Sequence, residues 1–229
     1  MTTPANVLRT SIGDYPLGEC RLAVGGRDWA VLYTAAVVTR ADESRYLERS
    51  ANDLPYGVAL WPAAIALSHE IALRAVEFRG RRVMELGAGT GLPGIVAAST
   101  GAAVVQSDWS ELALHVCKLN GERNGARGIA YREDDWAAWT DPARYDWLIG
   151  SDILYSHSNH EHLRRIFEGN LAPGGRVLLA DPFRAESLLL LEELAAARWG
   201  VTHSRWSIGE GADARPVAVY ELTPPGSAP

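Results

Sequence analysis

Glu85, Gly87, Gly89 and Gly91 stand close together in the run Val83-Met84-Glu85-Leu86-Gly87-Ala88-Gly89-Thr90-Gly91. Asp108 ends the next apolar run, Ala102-Ala103-Val104-Val105-Gln106-Ser107-Asp108. Glycines let a backbone pass close to a ligand with no Cβ in the way. An acidic side chain about 20 residues further on, at the tip of a second strand, is set to accept hydrogen bonds from ribose hydroxyls. These residues point to a nucleoside cofactor. Asp108 is the ribose acceptor in that reading, and Trp109 beside it can lie against an adenine. The plainer alternative for Asp108 is a strand-ending cap on the helix that opens at Ser110.

The glycines can be counted in two registers. From Gly87 they read G-x-G-x-G with a glutamate two before. From Gly89 they read G-x-G-x-x-G, ending at Gly94, which is the dinucleotide fingerprint. That fingerprint should follow its strand directly, whereas Gly87 and Ala88 intervene. Pro93 also removes a backbone N–H from the helix N-terminus that a pyrophosphate needs. A nicotinamide-dependent oxidoreductase is therefore the rival from another enzyme class.

The elements that must hold these residues follow from the apolar pattern. Arg21–Val24 and Arg27–Tyr33 flank Gly25-Gly26, a pair suited to a type I′ hairpin turn. Residues 40–54 are polar, a loop or short helix. Pro62 occupies a favoured first helical position. From residue 81 strand and helix alternate: strands at Arg82–Leu86, Ala103–Ser107, Ile129–Glu133, Trp147–Ser151 and Arg176–Ala180, with helices from about Pro93 to Thr100, from Ser110, from a Ser158-x-x-Glu161 capping box, and over Glu186–Trp199. Pro173-Gly174-Gly175 reads as a turn. Val201–Ile208 and Pro216–Leu222 read as an antiparallel pair. Such alternation gives a mostly parallel sheet with helices on both faces, here with one antiparallel strand added at its edge.

Composition narrows the function. The chain has 229 residues, enough for one substantial domain, and a formal net charge of −6. An acidic chain without a dense basic run argues against a nucleic-acid substrate. Cys20 and Cys117 are too few for a disulfide framework and read as reduced thiols of a cytoplasmic protein. No signal peptide and no membrane-spanning stretch is expected. His157, His160 and His162 lack metal-ligand spacing, so no metal is expected.

The Glu85–Gly91 run, Asp108 and the closing hairpin resemble the class I, seven-strand S-adenosylmethionine-dependent methyltransferases over roughly residues 60–222. S-adenosylmethionine carries no phosphate, so the donor lost at Pro93 costs it less. The resemblance implies a Rossmann-like seven-stranded sheet, mostly parallel with an antiparallel C-terminal edge hairpin, preceded by the N-terminal β-hairpin. It divides the chain into an extension (1–59), a methyltransferase domain (60–223) and a disordered tail (224–229). It also implies roles. The loop of Gly87, Gly89 and Gly91 passes under the cofactor, and Glu85 orients that loop or meets the methionine amine. Asp135 accepts from the adenine amine and Trp136 packs on the ring, with Asp134 an equal competitor for the first role.

Asp152 and Tyr155, in Ser151-Asp152-Ile153-Leu154-Tyr155, resemble the D-x-x-Y motif of the lysine-directed family 16 subgroup, which includes enzymes acting on chaperones and on the electron-transfer flavoprotein β-subunit. Leu60-Trp61-Pro62-Ala63-Ala64 resembles that subgroup too, and Trp61, counted with the cofactor-binding residues, can wall the same cavity. A carboxylate with an aromatic face can hold an amine and the cation formed on its methylation. The resemblance therefore implies an N-methyltransferase with catalytic residues Asp152 and Tyr155, acting on a protein lysine as a monomer or weak homodimer. A small-molecule amine of the nicotinamide type is the alternative acceptor. A binding module without turnover is the alternative outside enzymes.

Overall fold

The computed structural model describes residues 6–10, 13–36 and 58–226. It opens with strands β1 (Asn6–Thr10), β2 (Gly13–Val24) and β3 (Arg27–Tyr33), which form an antiparallel sheet. The expected hairpin is its β2–β3 half. Gly25 and Gly26 have φ of +60° and +76°, the pair of left-handed values that a type I′ turn requires. β1 adds a third strand that the sequence pattern does not announce. A short parallel pair follows, β4 (Ala35–Ala36) with β5 (Ala59–Leu60). The polar stretch 40–54 lies between them, outside the described residues.

The helix Pro62–Leu73 starts at its proline, as expected, and is followed by a turn of helix over Ala75–Phe78. The main sheet is built from β6 (Arg82–Leu86), β7 (Ala103–Asp108), β8 (Ile129–Glu133), β9 (Tyr145–Ser151), β10 (Leu171–Asp181), β11 (Gly200–Ile208) and β12 (Arg215–Thr223). Its order is β11-β12-β10-β9-β6-β7-β8. β8, β7, β6, β9 and β10 run parallel, and β12 is antiparallel to both its neighbours. The antiparallel strand is thus one place in from the edge, because β12 folds back into the gap between β10 and β11.

Strand side chains alternate between two cores, as a period of two dictates. Val83, Val104, Ile149, Leu178 and Val219 face one core, closed by the Pro62–Leu73 and Leu92–Ser99 helices and by Val24, Trp29 and Val31 of the N-terminal sheet. Met84, Leu148, Leu179 and Ala218 face the other, closed by the His160–Asn170 and Ala185–Ala196 helices. Among the described residues no helix is long and apolar enough to cross a membrane.

Two local expectations change. Pro173-Gly174-Gly175 is not a free turn before the strand; it is absorbed into β10, whose register against β9 shifts between Leu171 and Arg176. The Ser158–Glu161 capping box does not form. Residues His157–Asn159 wind into a 3₁₀ turn, Ser158 Oγ pairs with Ser156 Oγ at 2.7 Å, and the following helix begins only at His160.

Candidate active site

The chain runs outward from β6 through β7 to β8, then returns to lay β9 on the other side of β6. In open α/β sheets a ligand crevice lies outside the carboxyl ends of the strands where the order reverses in this way. Gly87 follows β6, Asp108 ends β7 and Asp152 follows β9, so the sequence candidates gather at that crevice.

Gly87, Gly89 and Gly91 have φ of +62°, +55° and +76°, values that glycine adopts without steric cost. A Cβ on Gly87 would stand 2.9 Å from Ile153 Cγ2 and 3.3 Å from Trp136 Cζ2. One on Gly91 would stand 2.7 Å from Gln106 Nε2. Three consecutive carbonyls of this loop turn inward. Gly89 O accepts from Cys117 Sγ (3.1 Å), Thr90 O from Asn120 Nδ2 (2.8 Å) and Gly91 O from Gln106 Nε2 (2.8 Å). All three donor residues are buried. The loop's inward polar groups are thus satisfied by the protein, while Gly87 and Gly89 remain partly exposed on its other side.

Glu85 lies beneath this loop, 1% exposed. Its Oε2 accepts from Gly94 N (3.1 Å), in the first turn of the Leu92–Ser99 helix, and from Gln106 Nε2 (2.6 Å). The carboxylate therefore ties β6, β7 and that helix together. Burial pushes its pKa up to about 8, against the pull of the Gln106 and Gly94 hydrogen bonds.

Asp108 is 4% exposed at the end of β7, beside the helix start as its capping reading expects. Its Oδ1 accepts from Ser110 N and its Oδ2 from Gly89 N, each at 3.0 Å. Ser110 in turn caps its helix, accepting from Ala113 N. Each carboxylate oxygen has two lone pairs, so Asp108 holds the loop and the helix start with acceptor capacity in reserve. Burial raises its pKa, opposed by the N–H groups of Ser110, Gly89 and Trp109.

Trp109 is 76% exposed and Tyr155 is 55% exposed, two aromatic rings at the ends of β7 and β9 that the core does not use. Burial and then the Asp108 charge raise the Tyr155 pKa. Trp136 is partly buried: it packs on the second core and its ring borders Gly87. The neighbouring aspartates differ. Asp134 is taken by Arg132 in a bidentate pair (2.7 and 3.0 Å), and Arg132 also reaches Asp141 at 3.3 Å. Asp135 is exposed and only caps the 3₁₀ turn at Ala137 (2.9 Å).

Asp152 has a left-handed backbone, φ +61°, and its N–H donates to Ala180 O at 2.8 Å. Such backbone conformations in a non-glycine residue are costly and tend to cluster at functional sites. Its carboxylate is paired with Arg184, which also reaches Asp181 Oδ2 at 3.3 Å. Asp181, fully buried at the end of β10, accepts from Arg184 N and Ser187 Oγ. The sequence reading missed Arg184 and Asp181. Their signal was an Asp-Pro-Phe-Arg run at the carboxyl end of a strand.

Trp61 is half-buried at the N-cap of the Pro62–Leu73 helix. The far end of that helix leads to Glu77, whose carbonyl accepts from Trp147 near the start of β9 (3.4 Å). Trp61 therefore lies toward the carboxyl ends of the strands. Of the histidines, His160 is buried with Nε2 3.4 Å from Leu154 O and its ring 5.3 Å from that of His157, and His162 pairs with Arg165.

A family model described as lysine methyltransferase matches residues 42–187. Protein N-lysine methyltransferase METTL21A of Mus musculus is 32% identical over 151 residues, covering 63% of this chain and 68% of the relative. Histone-arginine methyltransferase METTL23 of Xenopus laevis is 32% identical over 114 residues, covering 47% of this chain and 49% of the relative. Among solved structures, the T. Thermophilus 16S rRNA N2 G1207 methyltransferase in complex with AdoMet and guanosine shares the fold. Its TM-score is 0.61 at 19% identity, covering 91% of this chain and 50% of that one.

Proposed function

The chain belongs to the lysine methyltransferase family, and from that premise we propose that its methyl acceptor is a lysine side chain of a protein. The enzyme is an S-adenosylmethionine-dependent methyltransferase; the dinucleotide register of its glycines has no counterpart in that membership. The protein lysine rests on what the N-lysine methyltransferase relatives act on.

One observation carries the reading of the site. The carbonyls of Gly89, Thr90 and Gly91 are all bound from within, and the partly exposed outer side is glycine, a surface suited to close contact with a flat, uncharged nucleoside. S-adenosylmethionine supplies an activated methyl on a sulfonium. In this proposal Gly87, Gly89 and Gly91 underlie it, Glu85 holds the loop in shape, and the remaining lone pairs of Asp108 accept its ribose hydroxyls. Trp109 and Trp136 flank the adenine, and Asp135 accepts from its amine, since Asp134 is committed to Arg132. Asp152, Tyr155 and Trp61 make the acceptor side. Methyl transfer needs an in-line approach by a neutral amine, so these residues orient the acceptor and no catalytic triad is called for.

The same proposal keeps residues 1–59 as an extension, 60–223 as the methyltransferase domain and 224–229 as a tail. It has the enzyme working in the cytoplasm, as a monomer or weak homodimer, on protein and not on nucleic acid, in keeping with its net charge of −6. The test is incubation with methyl-labelled S-adenosylmethionine and a fractionated lysate, followed by acid hydrolysis of the labelled product. Methyl-lysine in a protein band is expected. Methyl-arginine, or label confined to the small-molecule fraction, would overturn the lysine assignment.

A further inference from the structure

Asn120 and Asn124, one turn apart in the Glu111–Arg123 helix and at its C-cap, grip the backbone of β3. Asn124 Oδ1 accepts from Ala30 N (3.0 Å) and its Nδ2 donates to Ala30 O (2.8 Å). Asn120 Oδ1 accepts from Leu32 N (2.7 Å) and its Nδ2 donates to Leu32 O (3.1 Å). Each side-chain amide thus reproduces the donor–acceptor pair that a neighbouring strand would offer, and Ala30 and Leu32 are spaced by the strand period of two. Asn124 Nδ2 also donates to Asn120 O (2.8 Å), within its own helix, whereas Asn120 reaches beyond the helix and β3. Its Nδ2 also donates to Thr90 O at 2.8 Å, in the centre of the glycine loop. Asn120 is fully buried, so water cannot replace either bond.

We propose that Asn120 is a positioning residue whose single amide clamps the glycine loop and β3 together, so that cofactor occupancy and docking of the N-terminal sheet are coupled through it. The proposal rests on the glycine loop being the cofactor's seat. A ligand that orders the loop fixes Thr90 O, which fixes the Asn120 amide, which holds Leu32. Linkage makes the effect reciprocal: a firmly docked β3 favours the loop arrangement that binds cofactor.

The test uses the full chain and S-adenosylhomocysteine as probe, with calorimetry for affinity and amide hydrogen exchange over β3. In the natural protein the ligand should slow exchange at Leu32. Asn120→Asp keeps the acceptor for Leu32 N–H but loses the donors to Thr90 O and to Leu32 O. It should weaken S-adenosylhomocysteine by about tenfold, the size expected when a buried carbonyl loses its donor, and abolish the ligand-dependent protection at Leu32. Asn124→Ala should speed exchange at Ala30 while leaving the affinity unchanged and the Leu32 protection intact, a split that a merely structural role for Asn120 would not give. Natural affinity in Asn120→Asp, or no ligand-dependent change at Leu32 in the natural protein, would overturn the proposal; the second readout decides even where the variant does not fold. No binding of S-adenosylhomocysteine by the natural protein would contradict the reading of the loop itself, and the proposal with it.

Discussion

At the scale of single residues, buried carboxylates decide how this site behaves. Asp108 holds Gly89 N and Ser110 N and is proposed to accept ribose hydroxyls as well. Asp108→Asn keeps the shape but turns half of the group into a donor. Hydrogen bonds to a charged group are worth ~1.5–3 kcal/mol, so S-adenosylhomocysteine should bind roughly 10- to 100-fold more weakly by calorimetry. Equal affinity would remove Asp108 from the ribose role. Glu85 makes a prediction about pH. Its pKa is raised from 4.5 to about 8 on folding, so between those values the folded chain holds the extra proton and stability falls as pH rises. Glu85→Gln removes that titration. Its melting temperature should decline less than the natural protein's across the same window, with the like-signed contribution of Asp108 remaining. Asp152→Ala should leave S-adenosylhomocysteine affinity unchanged and abolish methyl transfer to labelled protein. Full activity in that variant would end its acceptor role.

At the scale of elements, strand periodicity explains both what was legible in the sequence and what was not. Gly87, Asp108 and Asp152 could be singled out because each sits at, or one step beyond, the carboxyl end of a strand whose apolar run is unmistakable. The commitment of Asp134 to Arg132 could not be read from the residues alone, although its key was present. Arg132 and Asp134 are two apart at the end of β8 and so share a face, which lets the guanidinium take that carboxylate. Asp134→Ala should therefore lower the melting temperature with little change in cofactor affinity, and Asp135→Ala the reverse. Opposite results in calorimetry and thermal melts would exchange their roles. The Ser158 capping box misled because a 3₁₀ turn used Ser158 first. Arg184 was invisible because its partners Asp152 and Asp181 come from two different strand ends.

At the scale of the whole molecule, the reversal of strand order beside β6 gathers the proposed cofactor side and the proposed acceptor side at one end of one sheet. Alternating strand and helix made that sheet readable in advance, down to its C-terminal hairpin. The docking of the N-terminal sheet was not readable, because it depends on two asparagine amides meeting a strand some 90 residues earlier in the chain. The proposed function stands on the cofactor lying against the outer face of the glycine loop. A crystal structure of the chain with S-adenosylhomocysteine tests this most directly. The nucleoside should lie over Gly87–Gly91, with its ribose hydroxyls within hydrogen-bond reach of Asp108 and its sulfur facing Asp152 and Tyr155. A ligand seated elsewhere, or a ribose turned away from Asp108, would contradict the proposed function.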